Sequence, residues 1–212
     1  MSTLPHRRHL LQVGLVGLAM AALPAHAHTA PDLLTEVSKR LANPPVLRGE
    51  FEQTKTLKGF KRPLVSKGTF VMVRDRGVQW VTAQPFASTL VVTRERLVTL
   101  GEAGIQQQID TRQEPGLRAV NEMLMALLAG DVKALSARFK SEGALQGAQG
   151  WKLVLTPREA ALAGFIARIE LEGDRHVMLV DLKEASGDDS RIRFFNHAAS
   201  TLSPAEAGRF GS

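Results

Sequence analysis

Apolar spacing along this chain predicts a helix, a run of strands, a second helical stretch and then more strands. Leu33, Leu34, Val37 and Leu41 fall at i, i+1, i+4 and i+8, with Asp32 and Glu36 early and Lys39 and Arg40 late. That pattern suits a short amphipathic helix ended by Pro44-Pro45. The period then drops to two. Leu47, Gly49 and Phe51 alternate with Arg48, Glu50, Glu52 and Thr54, so residues 47–57 read as a half-buried strand. The basic loop Lys58-Gly59-Phe60-Lys61-Arg62-Pro63 leads to a second strand, 67–74, and Asp75-Arg76-Gly77 turns the chain into a third, 78–82. Segments 88–93, 96–100 and 104–109 continue the meander.

Phe70-Val71-Met72-Val73 is apolar on both faces, which a one-sided antiparallel sheet does not require. Something must cover the second face, and the expected cover is 117–128 (LRAVNEMLMALL), the most apolar helical stretch beyond residue 27. Gly130-Asp131 ends it, and 132–137 adds a further helical turn. Strands resume with Trp151-Leu153-Leu155. Phe165-Ala167-Ile169-Leu171 follows, alternating with Ile166, Arg168, Glu170 and Glu172. Segments 177–183 and 190–195 flank the turn Ser186-Gly187-Asp188-Asp189, and Ser203-Pro204-Ala205-Glu206 reads as a short helix start. The expectation is a mainly β chain: about ten strands in one curved antiparallel sheet, a helical insertion after the sixth, and a single domain.

The N-terminus changes where that domain begins. Arg7 and Arg8 precede an uncharged, mostly apolar run at 10–23, then Pro24 and Ala25-His26-Ala27, the three-part pattern of a signal cleaved after Ala27. A 14-residue helix rises about 21 Å, short of the roughly 30 Å hydrocarbon core, so a membrane anchor fits less well. The domain is therefore expected to run over 28–212. Loss of Arg7 and Arg8 lowers the formal charge of +6 by two. The absence of Cys excludes disulfide scaffolds, thiol nucleophiles and Cys-ligated metals, and leaves no acceptor for a lipoprotein anchor. Export without disulfides suits a Gram-negative periplasm and a fold held by its core.

Little in the chain suggests catalysis. His176 and His197 remain in the body; neither has an HxxxH, HxH or HExxH neighbour, so both read as surface or strand-edge residues and no metal site is expected. No GxSxG, GxxxxGK[ST] or GxGxxG occurs. Asp188-Asp189 and Glu50/Glu52 sit in a turn and on a polar strand face, where solvation explains them. The sequence reads as a binding protein with no cofactor. Lys58, Lys61 and Arg62 cluster in one hairpin loop. Sparse aromatics and export argue against nucleic acid, leaving a solvated turn or a docking patch for an acidic partner or anionic lipid head group.

Several motifs in this order resemble the LolA family of periplasmic carriers of outer-membrane lipoproteins. They are Gly49-x-Phe51-x-Gln53-Thr54, Gly68-x-Phe70 running to Val73-Arg74, Trp80 before Gln84-Pro85, Trp151-x-Leu153-x-Leu155-Thr156-Pro157, Ile169-x-Leu171 and the late Phe194-Phe195-Asn196. The resemblance covers nearly all of 31–197. It implies an incomplete, strongly curved antiparallel β-barrel covered on its concave side by α-helices, with Arg74 at the position of an arginine that ties barrel to lid. It also implies an inner-membrane release complex and an outer-membrane receptor as partners.

A carrier of this kind needs burial rather than chemistry. Each acyl CH₂ in water costs about 0.8 kcal/mol, and Phe, Met and Leu bury such chains without directional demands. The expected cavity lining is Phe51, Phe70, Met72, Trp80, Met123, Leu124, Leu127 and Leu128, in a monomer whose cargo is the acyl chains of a lipoprotein or another lipid. Plain core packing is the competing explanation of each. The tail from His197 departs from the family pattern, and Arg74-Asp75 replaces its usual basic-Pro pair. A second reading is a periplasmic regulatory or sensor protein of the same fold that binds an inner-membrane protein.

Overall fold

The structure is a computed structural model that describes residues 30–101, 104–111, 113, 118, 121–123, 126 and 131–211. Helix α1 (Ala30–Arg40) precedes six strands: β1 (Val46–Thr56), β2 (Leu64–Val73), β3 (Gly77–Gln84), β4 (Ser88–Thr93), β5 (Arg96–Gly101) and β6 (Gly104–Asp110). Helical residues 118, 121–123 and 126 follow, then α2 (Val132–Arg138). The chain continues through β7 (Phe139–Gln146), β8 (Gly150–Pro157), α3 (Ala160–Ala163), β9 (Ile166–Gly173), β10 (Val177–Glu184) and β11 (Asp189–Ala199), ending with α4 (Pro204–Arg209). The cleavage site expected after Ala27 lies outside the described residues.

All eleven strands form one antiparallel sheet in the order β6-β5-β4-β3-β2-β1-β11-β10-β9-β8-β7. It does not close: β6 and β7 are its two edges. Register carries a single face across the middle, with Ser66, Gln53, Ile192, Val180, Leu171, Leu153 and Gly143 side by side. Helices α1, α2 and α3 pack on this inner face. Leu33, Leu34 and Val37 of α1, Met123, Leu135 of α2 and Leu162 of α3 close over Trp151, Leu153, Leu155, Ile169 and Leu171. Leu155 is 0% exposed and Trp151 1%, so each contributes roughly 2–3 kcal/mol of burial. The Trp151 indole also donates to the Asp174 carbonyl at 2.7 Å, satisfying its only polar group.

Three expectations need correction. Among the described residues there are eleven strands, one beyond the ten segments read from the sequence. The additional one, β7, directs Phe139, Ser141, Gly143 and Leu145 inward, and serine and glycine erase the alternating signal. In β9 the expected inward set included Phe165 and Ala167. Instead a register shift near Glu184 places Ile166 inside, while Ala167 and Phe165 are exposed.

The third correction concerns the two-faced strands. Val71 and Val73 point outward, and among the described residues their cover is the C-terminal tail rather than the helical insertion. Phe210 packs with Val46, Val71, Val73, Val91 and Val98. The Ser203–Glu206 capping box starts α4, and Glu206 also receives the Arg48 guanidinium at 2.6 and 2.8 Å. Arg76 donates to the carbonyls of Ala207 and Gly211 and lies 5.9 Å above the Phe210 ring. Two arginines thus strap the tail to the outer face.

Candidate functional site

The inner face of β1–β4 owes its shape to a reciprocal glycine–phenylalanine pairing. Gly49 faces Phe70 across the β1–β2 ladder, and Phe51 faces Gly68. A Cβ on Gly49 would stand 2.6 Å from the Phe70 ring; one on Gly68 would stand 2.9 Å from the Phe51 ring and 1.8 Å from the Val81 carbonyl oxygen. Each glycine therefore vacates the space in which the opposite ring lies flat on the sheet. This is the physical reason for the two Gly-x-Phe motifs.

Around that pair the aromatic rings form one layer. Phe51 and Trp80 lie 3.8 Å apart between centroids, and Phe194 meets Phe70 edge-on at 5.4 Å and Trp80 at 5.8 Å. Phe51 is 1% exposed and Phe70 is buried, whereas Trp80 and Met72 keep part of their surface open. Met72 lies beside Leu47 and Val78 on the same face.

At the other end of the layer, Phe70 contacts the His197 ring at 5.9 Å, and His197 stacks on His176 at 4.7 Å. A bulge at Asn196, whose φ is 55°, turns His197 inward, so the two histidines read as peripheral from sequence pack together instead. Burial pushes both imidazoles down, and His176 lowers His197 further. Both shifts favour the neutral imidazole, and His197 is the member of the pair that meets Phe70. Among the described residues no group of three His, Asp or Glu could hold a metal, and no helix is long and apolar enough to cross a membrane.

The other expected site residues divide. Met123 is buried, but in the helix-covered core over β7–β9 rather than in the aromatic layer. Leu124, Leu127 and Leu128 lie outside the described residues. Arg74 is exposed, and its Nε donates to Asn43 Oδ1 at 2.9 Å in the connection between α1 and β1. Lys58, Lys61 and Arg62 are exposed on the β1–β2 loop, where the Lys58 backbone N–H donates to Asp188 Oδ1 at 2.9 Å.

Asn121 is the side chain the sequence reading missed. Its amide nitrogen donates to the carbonyls of Thr93 and Arg94, tying the helical insertion to the β4–β5 turn, which Thr111 also grips through Arg94 and Glu95. A buried asparagine inside an otherwise apolar helical stretch was the available signal. A hollow of about 340 Å³ lies at Gln146, Glu172, Gly173, Met178, Leu179 and Arg193, on the outer side of β9–β11, and its charged lining does not suit an acyl chain.

An unclosed antiparallel barrel with an aromatic inner face and helices packed on its inner side defines the class of open, helix-covered β-barrels. The chain belongs to the LolA family of outer membrane lipoprotein carrier proteins, whose model matches residues 44–207. It is 26% identical over 207 residues to an outer-membrane lipoprotein carrier protein of Dechloromonas aromatica (strain RCB), covering 96% of this chain and 94% of the relative. Similar solved structures include a LolA superfamily protein from Nitrosomonas europaea, with 9% identity, 84% and 97% coverage of this chain and that one, and a TM-score of 0.47. The MucA/MucB complex of Pseudomonas aeruginosa is another, with 16% identity, 84% and 62% coverage and a TM-score of 0.45.

Proposed function

We propose that this protein carries lipid-modified cargo through the periplasm, from the inner to the outer membrane, by holding acyl chains against the inner face of β1–β4. The observation that carries the reading is the aromatic layer of Phe51, Phe70, Trp80 and Phe194, part of which stays open although it faces the helix-covered side. Each methylene moved from water onto such a surface contributes about 0.8 kcal/mol, so a few chains suffice for tight binding with no covalent step. Met72 adapts to chains of differing shape. Leu124, Leu127 and Leu128 are the proposed cover for the chains, whereas Met123 belongs to the core over β7–β9, and Arg74 would steady the closed form through the α1–β1 connection.

Release follows from differential affinity. A ligand favours the open form only by as much as it binds that form better, so loading and unloading require an inner-membrane complex and an outer-membrane receptor that shift the balance. The protein works as a monomer and takes either a lipoprotein or another acylated lipid. Two measurements test this on protein recovered from the periplasm: mass spectrometry of organic extracts and titration with a fluorescent fatty-acyl probe. The expected result is co-purified acyl lipid and saturable uptake that Trp80→Ala weakens. Protein free of lipid that takes up no probe would contradict the reading.

A further inference from the structure

Exposed apolar side chains collect at one end of the sheet. The β1–β2 ladder ends at Lys55 and Leu64, and Lys67 lies beside Gln84, so the β1–β2 and β3–β4 loops emerge together. Phe86 is 82% exposed on one loop; Phe60 is 68% exposed on the other, with Leu64 57% exposed at its base. At the opposite end the turns at 74–76 and 94–95 instead carry charged side chains of both signs.

The same end carries positive charge. Segment 57–63 contains Lys58, Lys61 and Arg62 and no acid. Glu184 and Asp188 face Lys55 at 2.8 and 4.0 Å, and among the described residues no salt bridge engages the three loop cations. Two exposed aromatic side chains and three cations that pair with no acid among the described residues thus share one end of the sheet and form an amphipathic surface.

We propose that these two loops dock the protein on an anionic lipid bilayer, with Phe60 and Phe86 entering the interface and Lys58, Lys61 and Arg62 at the level of the phosphates. The shape favours a bilayer over an acidic protein. A rigid partner would need matching pockets for two rings on separate loops, whereas lipid head groups yield to any protrusion and supply the opposite charge. Aromatic rings and long cationic stems both suit the boundary between water and hydrocarbon. The surface lies on the strand-end loops, away from the inner-face aromatic layer, and does not depend on what that layer holds.

The test is co-sedimentation of the exported protein with sucrose-loaded vesicles of phosphatidylcholine alone or of phosphatidylcholine and phosphatidylglycerol in equal amounts. The wild-type protein is expected to sediment with the anionic vesicles and to be released by salt. The double variant Phe60→Ser with Phe86→Ser is expected to lower partitioning at least about tenfold, and Lys61→Glu with Arg62→Glu to abolish the preference for the anionic lipid. All four side chains are exposed, so melting temperatures should not change. Phe86→Trp supplies a second readout, quenching by brominated lipid. No sedimentation with anionic vesicles, unchanged sedimentation of both double variants, or sedimentation without quenching would each overturn the proposal. Binding to immobilised polyglutamate without binding to vesicles would overturn it in favour of an acidic protein. Retained acyl-probe uptake in Phe60→Ser/Phe86→Ser would show that docking and cargo binding fail separately.

Discussion

The two halves of this sheet bury apolar side chains differently. Over β7–β9 the inner face is sealed by α1, α2 and α3, and the outer face carries charged side chains, with Lys152 between Glu170 and Glu172. Over β2–β5 apolar side chains lie on both faces: the aromatic layer inside, and the valines under the tail outside. A conventional one-sided sheet therefore supports the first half. The second half needs a separate cover on its outer face, and that cover leaves its inner face available to something else. Stability and binding should accordingly respond to different substitutions.

The comparison breaks most visibly if the sealed half takes part in binding. Leu155→Ala, in the sealed core, should cost about 3 kcal/mol of stability by denaturant unfolding while leaving acyl-probe affinity of the folded protein unchanged. A large affinity loss would merge the two halves. Trp80→Ala should do the reverse, weakening probe binding about tenfold while costing about 2 kcal/mol, because Trp80 is only partly buried.

The outer strap should affect stability alone. Glu206→Gln removes the carboxylate held by Arg48 and by the Ser203 cap, and should cost about 1–2 kcal/mol after allowing for the water that still reaches the pair. Its pH signature follows from the Glu206 carboxyl, lowered from 4.5 to about 2 chiefly by the Arg48 hydrogen bond. A depressed carboxylate contributes fully above its unfolded value and loses that contribution as pH falls from about 4.5 through about 2. Thermal melts over that window should fall steeply for the wild-type protein and less so for Glu206→Gln. The smallest effect belongs to Arg74→Ala, which removes one exposed hydrogen bond to Asn43. We expect less than about 0.5 kcal/mol in stability and a severalfold faster release of acyl probe in stopped-flow exchange.

The halves also differ in how far they are legible in sequence. Trp151, Leu153 and Leu155 alternate with Lys152, Val154 and Thr156, the inward residues being the larger apolar ones, and all three are buried as the pattern requires. The doubled apolar pattern of β2 correctly requires a second cover, but hydrophobicity alone does not say which segment supplies it. The Ser203–Glu206 helix start is local and readable, whereas the Arg48–Glu206 pair joins residues 158 positions apart. Likewise Phe51 and Phe70 stand out as Gly-x-Phe motifs, yet only the ladder reveals that each glycine serves the other strand's ring. Phe194 and Phe195 are equivalent in sequence; pairing with Phe51 turns Phe194 inward and leaves Phe195 exposed.

The most direct test of the account is to map where an acyl chain lies. A fatty-acyl probe bearing a diazirine near its tail, photolysed in the protein and followed by peptide mass spectrometry, should label peptides containing Phe51, Met72 and Trp80, with labelling displaced by unlabelled lipid. Displaceable labelling confined to the outer hollow at Met178 and Leu179, or to the sealed core at Leu153 and Leu155, would contradict it.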